Sequence, residues 1–116
     1  MFEVVILNGK DYSLRYGMNA LRLYCQRTNT SLQDLDKLGQ DISLDDACQL
    51  ILAGLQDGAR VAGKDFDLTI EDIADILDED FGALQKCFDV FGEQFSAKFK
   101  DEGNEKEEKK TPQKKK

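Results

Sequence analysis

The stretch FEVVILNGKDYSLRYGMNALRLY, residues 2–24, decides how the chain begins. Val4 to Leu7 are strand formers, and Tyr12 to Arg15 resume an alternating pattern. Between them stands Asn8-Gly9, a strong short hairpin signal, because a type I′ turn needs positive φ at both central residues. A two-residue turn there sets Leu7 opposite Lys10, Val5 opposite Tyr12 and Glu3 opposite Leu14. One face then carries Val5, Leu7, Tyr12 and Leu14 and suits the core. The other carries Phe2, Val4 and Ile6 opposite Asp11, Ser13 and Arg15. That half-apolar face is either covered by later helices or offered to a partner, and a free strand edge can recruit another chain. No third strand follows, and two strands alone are marginal in water. Helices must therefore cover the hairpin.

Outward from the hairpin the spacing turns helical. Met18, Leu21 and Tyr24/Cys25 predict a helix to about Thr28, closed by Asn29. Ser31 opens a short helix (Leu32, Leu35, Leu38) stopped by Gly39. Ser43 with Asp46 resembles a capping box, and Leu44, Ala47/Cys48, Ile51/Leu52 and Leu55 predict an amphipathic helix ending at Gly58. Residues 59–68 then read as a loop. Thr69 with Asp72 repeats the start signal ahead of Ile70, Ile73/Ala74 and Leu77. A last helix begins around Asp78–Asp80 and carries Phe81, Leu84, Phe88, Phe91, Phe95 and Phe99. The expected fold is mainly α: an N-terminal β-hairpin (2–16) packed on a bundle of about five helices (18–99). Residues 1–99 form one globular domain, and the apolar-free run 100–116 reads as a disordered charged tail.

The chain has 116 residues, enough for one domain with a real core. No apolar run approaches membrane-spanning length, and the first residues lack the pattern of a secretory signal. Cys25, Cys48 and Cys87 are scattered and odd in number, as suits buried thiols in a reducing, cytoplasmic compartment. There is no histidine, which removes the commonest general base and zinc ligand. The net charge is −7, but residues 1–99 hold 9 Lys and Arg against 18 Asp and Glu. An acidic body repels phosphates, so nucleic acid is not an expected partner.

Chemistry-bearing patterns are weak. DLDKLGQDISLD places Asp34, Asp36, Gly39 and Asp45 at calcium-loop positions, but Leu38 and Asp41 occupy positions that need a ligand and an apolar residue. Ser and Thr fall at helix starts, where capping explains them, and the cysteines fall on apolar faces. No catalytic residue, cofactor or metal is expected. Eight acids lie between Asp65 and Asp80 without a base. Helix-start and capping roles account for several, and the remainder would attract a basic partner. Five of the seven phenylalanines fall between residues 81 and 99. Phe81, Leu84 and Phe88 are expected to complete the core, while Phe95 and Phe99 extend toward the polar tail with less to cover them. Partner contact is assigned to Phe2, Val4 and Ile6 on the hairpin and to Phe91, Phe95 and Phe99 on the last helix.

The succession "LNGKDYSLRYGMNALRLYCQRTNTSLQDL", "SLDDACQLILAGLQDGAR" and "DLTIEDIADILDED" resembles the tail assembly chaperones of long-tailed bacteriophages. The likeness spans about residues 2–92 and rests on the N-G-K-like turn, the "YGMNAL" helix start, the "AGL" segment and the "LTIEDIADILDED" helix. It implies a non-enzymatic protein of the host cytoplasm, absent from the mature virion. Such a protein coats the tape measure protein, keeps it soluble and helps recruit the tail tube protein. It also implies that a ribosomal frameshift near Lys109-Lys110 or Lys114–Lys116 could append a second domain. Moderately apolar patches would further favour homo-oligomers. The rival reading is an acidic phage inhibitor that imitates DNA through the Asp65–Asp80 cluster to occupy a DNA-binding protein.

Overall fold

The computed structural model of the protein describes residues 2–38 and 42–107, with the backbone alone at 36–37 and beyond Ser96. Two strands, β1 (Glu3–Leu7) and β2 (Lys10–Leu14), precede four α-helices: α1 (Met18–Thr28), α2 (Leu44–Ala62), α3 (Ile70–Glu79) and α4 (Gly82–Glu107). The short helix expected after Ser31 is a 3-10 helix, Leu32–Lys37. Among the described residues the architecture is thus a hairpin with four α-helices, rather than about five. No described helix is long and apolar enough to cross a membrane. The helical backbone of α4 runs to Glu107, into the stretch expected as charged tail, and residues 108–116 lie outside the described residues.

The hairpin has the register its turn dictates, pairing Glu3 with Leu14, Val5 with Tyr12 and Leu7 with Lys10. Asn8 (φ 54°) and Gly9 (φ 82°) both take the left-handed conformation a type I′ turn requires. Val5, Leu7 and Leu14 are buried, whereas Val4 and Ile6 are 59% and 53% exposed. The turn itself is held from across the fold. Asp80 Oδ2 accepts the Asn8 N–H at 3.1 Å, and Glu79 Oε1 accepts from the Asn8 side chain.

α2 is the axis of the domain. Its N-terminus is capped by Ser43, whose hydroxyl accepts the Asp46 N–H at 3.1 Å. It does not stop at Gly58 but continues to Ala62, where Gly63 (φ 73°) caps it in the left-handed conformation. It is amphipathic as expected, but its burial reaches beyond the apolar stripe. From Ala47 to Ala59 every residue but Gln49 and Gln56 is buried, as befits a helix surrounded by others. The reason Gly58 sits mid-helix is steric. A Cβ there would lie 2.1 Å from the Ser13 carbonyl oxygen, so β2 rests directly on the α2 backbone. One turn earlier, a Cβ on Gly54 would lie 2.7 Å from the Tyr16 ring, and the Gly54 carbonyl accepts the Arg15 N–H at 3.0 Å. Between the two glycines Asp57 is fully buried. Its carboxylate accepts from Arg15 (3.0 Å), Arg60 (2.7 Å) and the Gly17 N–H (3.1 Å). Gly17 is the N-cap of α1, which has no side-chain cap of its own, so Asp57 supplies the anion that helix start needs.

α3 has the full reciprocal cap expected of Thr69 and Asp72. α4 packs through Ala83, Cys87, Val90 and Phe91, all buried. The expectation that Phe81 completes the core is overturned. Phe81 precedes the first turn of α4, off the helical stripe, and is 71% exposed rather than core. Phe91, assigned to partner contact, is buried with its ring edge-on to Tyr16 at 5.1 Å. Leu84 and Phe88 pack partly against the core, as does Phe95, stacked on Phe91 at 5.2 Å. Met18, read as part of the α1 stripe, is also exposed; Ala20, Leu21 and Tyr24 are that helix's buried face.

Two outcomes follow for stability. Gly58→Ala gains helix propensity but drives a methyl into fixed backbone, so it should destabilise by roughly 1–3 kcal/mol. Gly92→Ala in α4 meets nothing within 4 Å and should instead stabilise by about 0.5–1 kcal/mol. Denaturant titrations of the pair decide, since equal effects would mean that β2 does not rest on α2 at Gly58. Burial also predicts a sign for alkaline pH. It pushes the Cys87 thiol from 9.0 up to about 12, with Lys86 and Asp80 as smaller opposing influences. Burial likewise raises the Tyr16 phenol well above 10.0, a nearby Cys87 charge adding to it. Both groups stay neutral in the fold while the unfolded chain ionises, so stability is full below about pH 9 and falls as pH climbs toward 12. Part of the tyrosinate absorbance should appear only as helical ellipticity is lost; its complete appearance in a folded chain would contradict this packing.

Candidate partner-binding groove

The N-terminal half of α2 is flanked by α3 on one side and by α4 on the other, and neither flank closes over it. Between the start of α2 and α4 lies a groove of about 710 Å³, lined by Leu35, Ile42, Leu44, Leu84, Phe88 and Phe95 among others. Between α2 and α3 lies a second, about 700 Å³, lined by Leu44, Cys48, Ile70, Ala74 and Leu77. Leu44 and Phe81 line both and form the ridge between them. They are also the most exposed large hydrophobic residues among those described, at 68% and 71%. Leu44 is the first residue of α2 and Phe81 the last before α4, so each projects from a helix entrance rather than from a packed stripe.

Acids surround this apolar surface. Asp89 lines the first groove, and Asp45, Glu71, Asp75 and Asp78 line the second; among the described residues no Lys or Arg lines either. The fold itself uses some acids of the Asp65–Asp80 run: Asp72 caps α3, and Glu79 and Asp80 hold the hairpin turn. Among the described residues, no hydrogen bond or ion pair engages Asp75 or Asp78. Gly92 lines the first groove with open space above its α-carbon.

The residues assigned to partner contact from sequence fall in three places. Phe95 lines the first groove, as does the buried Phe91. Phe2 is half-buried and Val4 and Ile6 are exposed on β1, and none of the three lines either groove. The Phe99 side chain lies outside the described residues, as do Gly39 and Asp41 of the calcium-like stretch. Leu44, Phe81 and Gly92 were missed. A usable signal existed for Leu44, because an apolar residue directly after a helix N-cap precedes the packed turns.

Reactive chemistry is poorly served. All three thiols are free, and burial raises each above its ordinary 9.0, which suppresses the nucleophilic thiolate. No cluster of three or more Cys, Asp and Glu that could hold a metal occurs among the described residues. What the geometry offers is an apolar groove floor with carboxylates at its rim. Compared with protein-family models, with curated proteins and with solved structures, the chain finds no match in any of the three.

Proposed function

We propose that the protein is a non-enzymatic tail assembly chaperone of a long-tailed bacteriophage. It binds and solubilises the tape measure protein in the host cytoplasm, helps recruit the tail tube protein and is left out of the mature virion. The observation that carries this reading is the uncovered ridge of Leu44 and Phe81 above two apolar grooves on an acidic body. Leaving a large apolar side chain in water forfeits on the order of 1.5–3 kcal/mol. A surface of this kind is useful to a protein that shields the apolar helices of another chain. The net charge of −7 keeps such a protein, and what it carries, in solution. The sequence succession from the N-G-K turn to "LTIEDIADILDED" points the same way.

Co-expression with the tape measure protein tests the proposal. The wild-type chain should hold that protein in the soluble fraction, and capture should survive about 0.5 M salt, where exposed charge pairs are screened. Leu44→Ser with Phe81→Ser should change unfolding stability by no more than about 0.5 kcal/mol, since both residues are exposed, yet return most of the tape measure protein to the pellet. A chain that leaves the tape measure protein insoluble, or binds a DNA-binding protein in a way that collapses with salt, would overturn the reading in favour of DNA mimicry.

A further inference from the structure

We infer that the two grooves flanking the Leu44–Phe81 ridge form one docking surface for an amphipathic helix of another polypeptide that carries Lys or Arg beside its apolar face. This deepens the capture reading above, on which it rests, by stating what the captured segment must look like. Three independent features lead to it.

Charge is the first. Among the described residues five acids and no base line the two grooves. Asp45 and Glu71 lie in the first turns of α2 and α3, where an acid suits the helix dipole. Asp75 and Asp78 have no such reason. Asp78 lies in the last turn of α3, where an acid opposes the dipole and no basic residue offsets it. These carboxylates are placed for a cation from outside the described fold.

Gly92 is the second. Inside a helix, glycine is less favourable than alanine, and it is kept where another backbone must come close. Nothing within the described residues comes within 4 Å of a Cβ built there, so no internal contact requires the glycine. It lies between Phe88 and Phe95 on the groove side of α4, where it would admit the backbone of a docked helix.

Elimination of the nearer occupants is the third. Residues 100–116 of this chain contain no apolar side chain and cannot fill an apolar groove. A second copy would set its own acids against these, because the body carries twice as many acidic as basic residues through residue 99. A basic amphipathic helix satisfies both the groove floor and its rim.

The test uses the full chain and two labelled peptides of roughly 20 residues, long enough to form a helix when docked. They share one Leu-rich face, and the flanking positions are Lys in one and Glu in the other. Fluorescence anisotropy should show the Lys peptide binding about tenfold or more tightly than the Glu peptide. Gly92→Trp, which fills open space, should weaken the Lys peptide by about tenfold or more without lowering the thermal midpoint. Asp75→Lys with Asp78→Lys should narrow or reverse the preference between peptides. The inference is overturned if both peptides bind alike, or if Gly92→Trp has no effect. It is also overturned if sedimentation shows a dimer that Gly92→Trp dissociates while neither peptide binds. Tape measure capture untouched by Gly92→Trp would remove the groove and leave the chaperone reading standing, with the Val4–Ile6 strand as its surface. Charge-selective peptide binding with no solubilisation of the tape measure protein would do the reverse.

Discussion

The seating of one strand on one helix governs this molecule. β2 lies against α2 where Gly54 and Gly58 remove the side chains that would hold it off, and Asp57 between them gathers Arg15, Arg60 and the Gly17 N–H. A two-stranded sheet has no stability of its own to offer. Here the outer edge of β2 is covered by a helix backbone, and the Gly54 carbonyl accepts the Arg15 N–H as a third strand would have done. The buried carboxylate is tolerable because it is paired and fully hydrogen-bonded; leaving its partners without it would strand charge in the interior. Asp57 also fixes where α1 begins, so the same residue sets the hairpin, the α1 start and the middle of α2 relative to one another.

That seat occupies the C-terminal half of α2, while α3 and α4 flank the start of the helix. Those two helices approach from either side, joined by the short Asp80–Phe81 connection, whose Asp80 is tied to the hairpin turn. The domain is thus tight at one end and open at the other. Tyr16, Phe91 and Gln94 join the two: Gln94 Oε1 accepts the Tyr16 N–H at 2.8 Å, and the Tyr16 and Phe91 rings meet edge to face beneath the first groove. The open end carries Leu44, Phe81 and the acid-rimmed grooves. The proposed capture of another chain's helix is assigned to that open end, away from the buried Asp57 seat.

Local signals in the sequence carried most of the architecture. Asn8-Gly9 determined the hairpin register to the residue, and the Ser43 and Thr69 caps marked the starts of α2 and α3. The errors come from contacts distant in sequence. Gly58 reads as a helix stop unless one knows that Ser13, forty-five positions earlier, needs the space above it. Asp57 reads as a solvated acid unless Arg15 is placed beside it. Phe81 leaves the core because α4 starts at Gly82, which sets it before the helix, whereas Phe91 is covered by Tyr16, a residue seventy-five positions earlier. Of the candidate surface, the hairpin's apolar outer face could be read from alternation alone. The grooves could not, since they depend on how far three helices stand apart.

The acidic body, the apolar mouth and the order of sequence signals are what the proposed role, keeping another polypeptide's helices out of water, rests on. The grooves beside Leu44 and Phe81 are the part on which that account depends. Resonance-by-resonance NMR titration of the full chain with the tape measure protein's helical segments examines it most directly. The account predicts shift changes concentrated at Leu44, Phe81, Phe88 and Gly92, with Asp57, Gly58 and Tyr16 unmoved. Changes confined to Val4 and Ile6 on the hairpin, with the grooves silent, would contradict it.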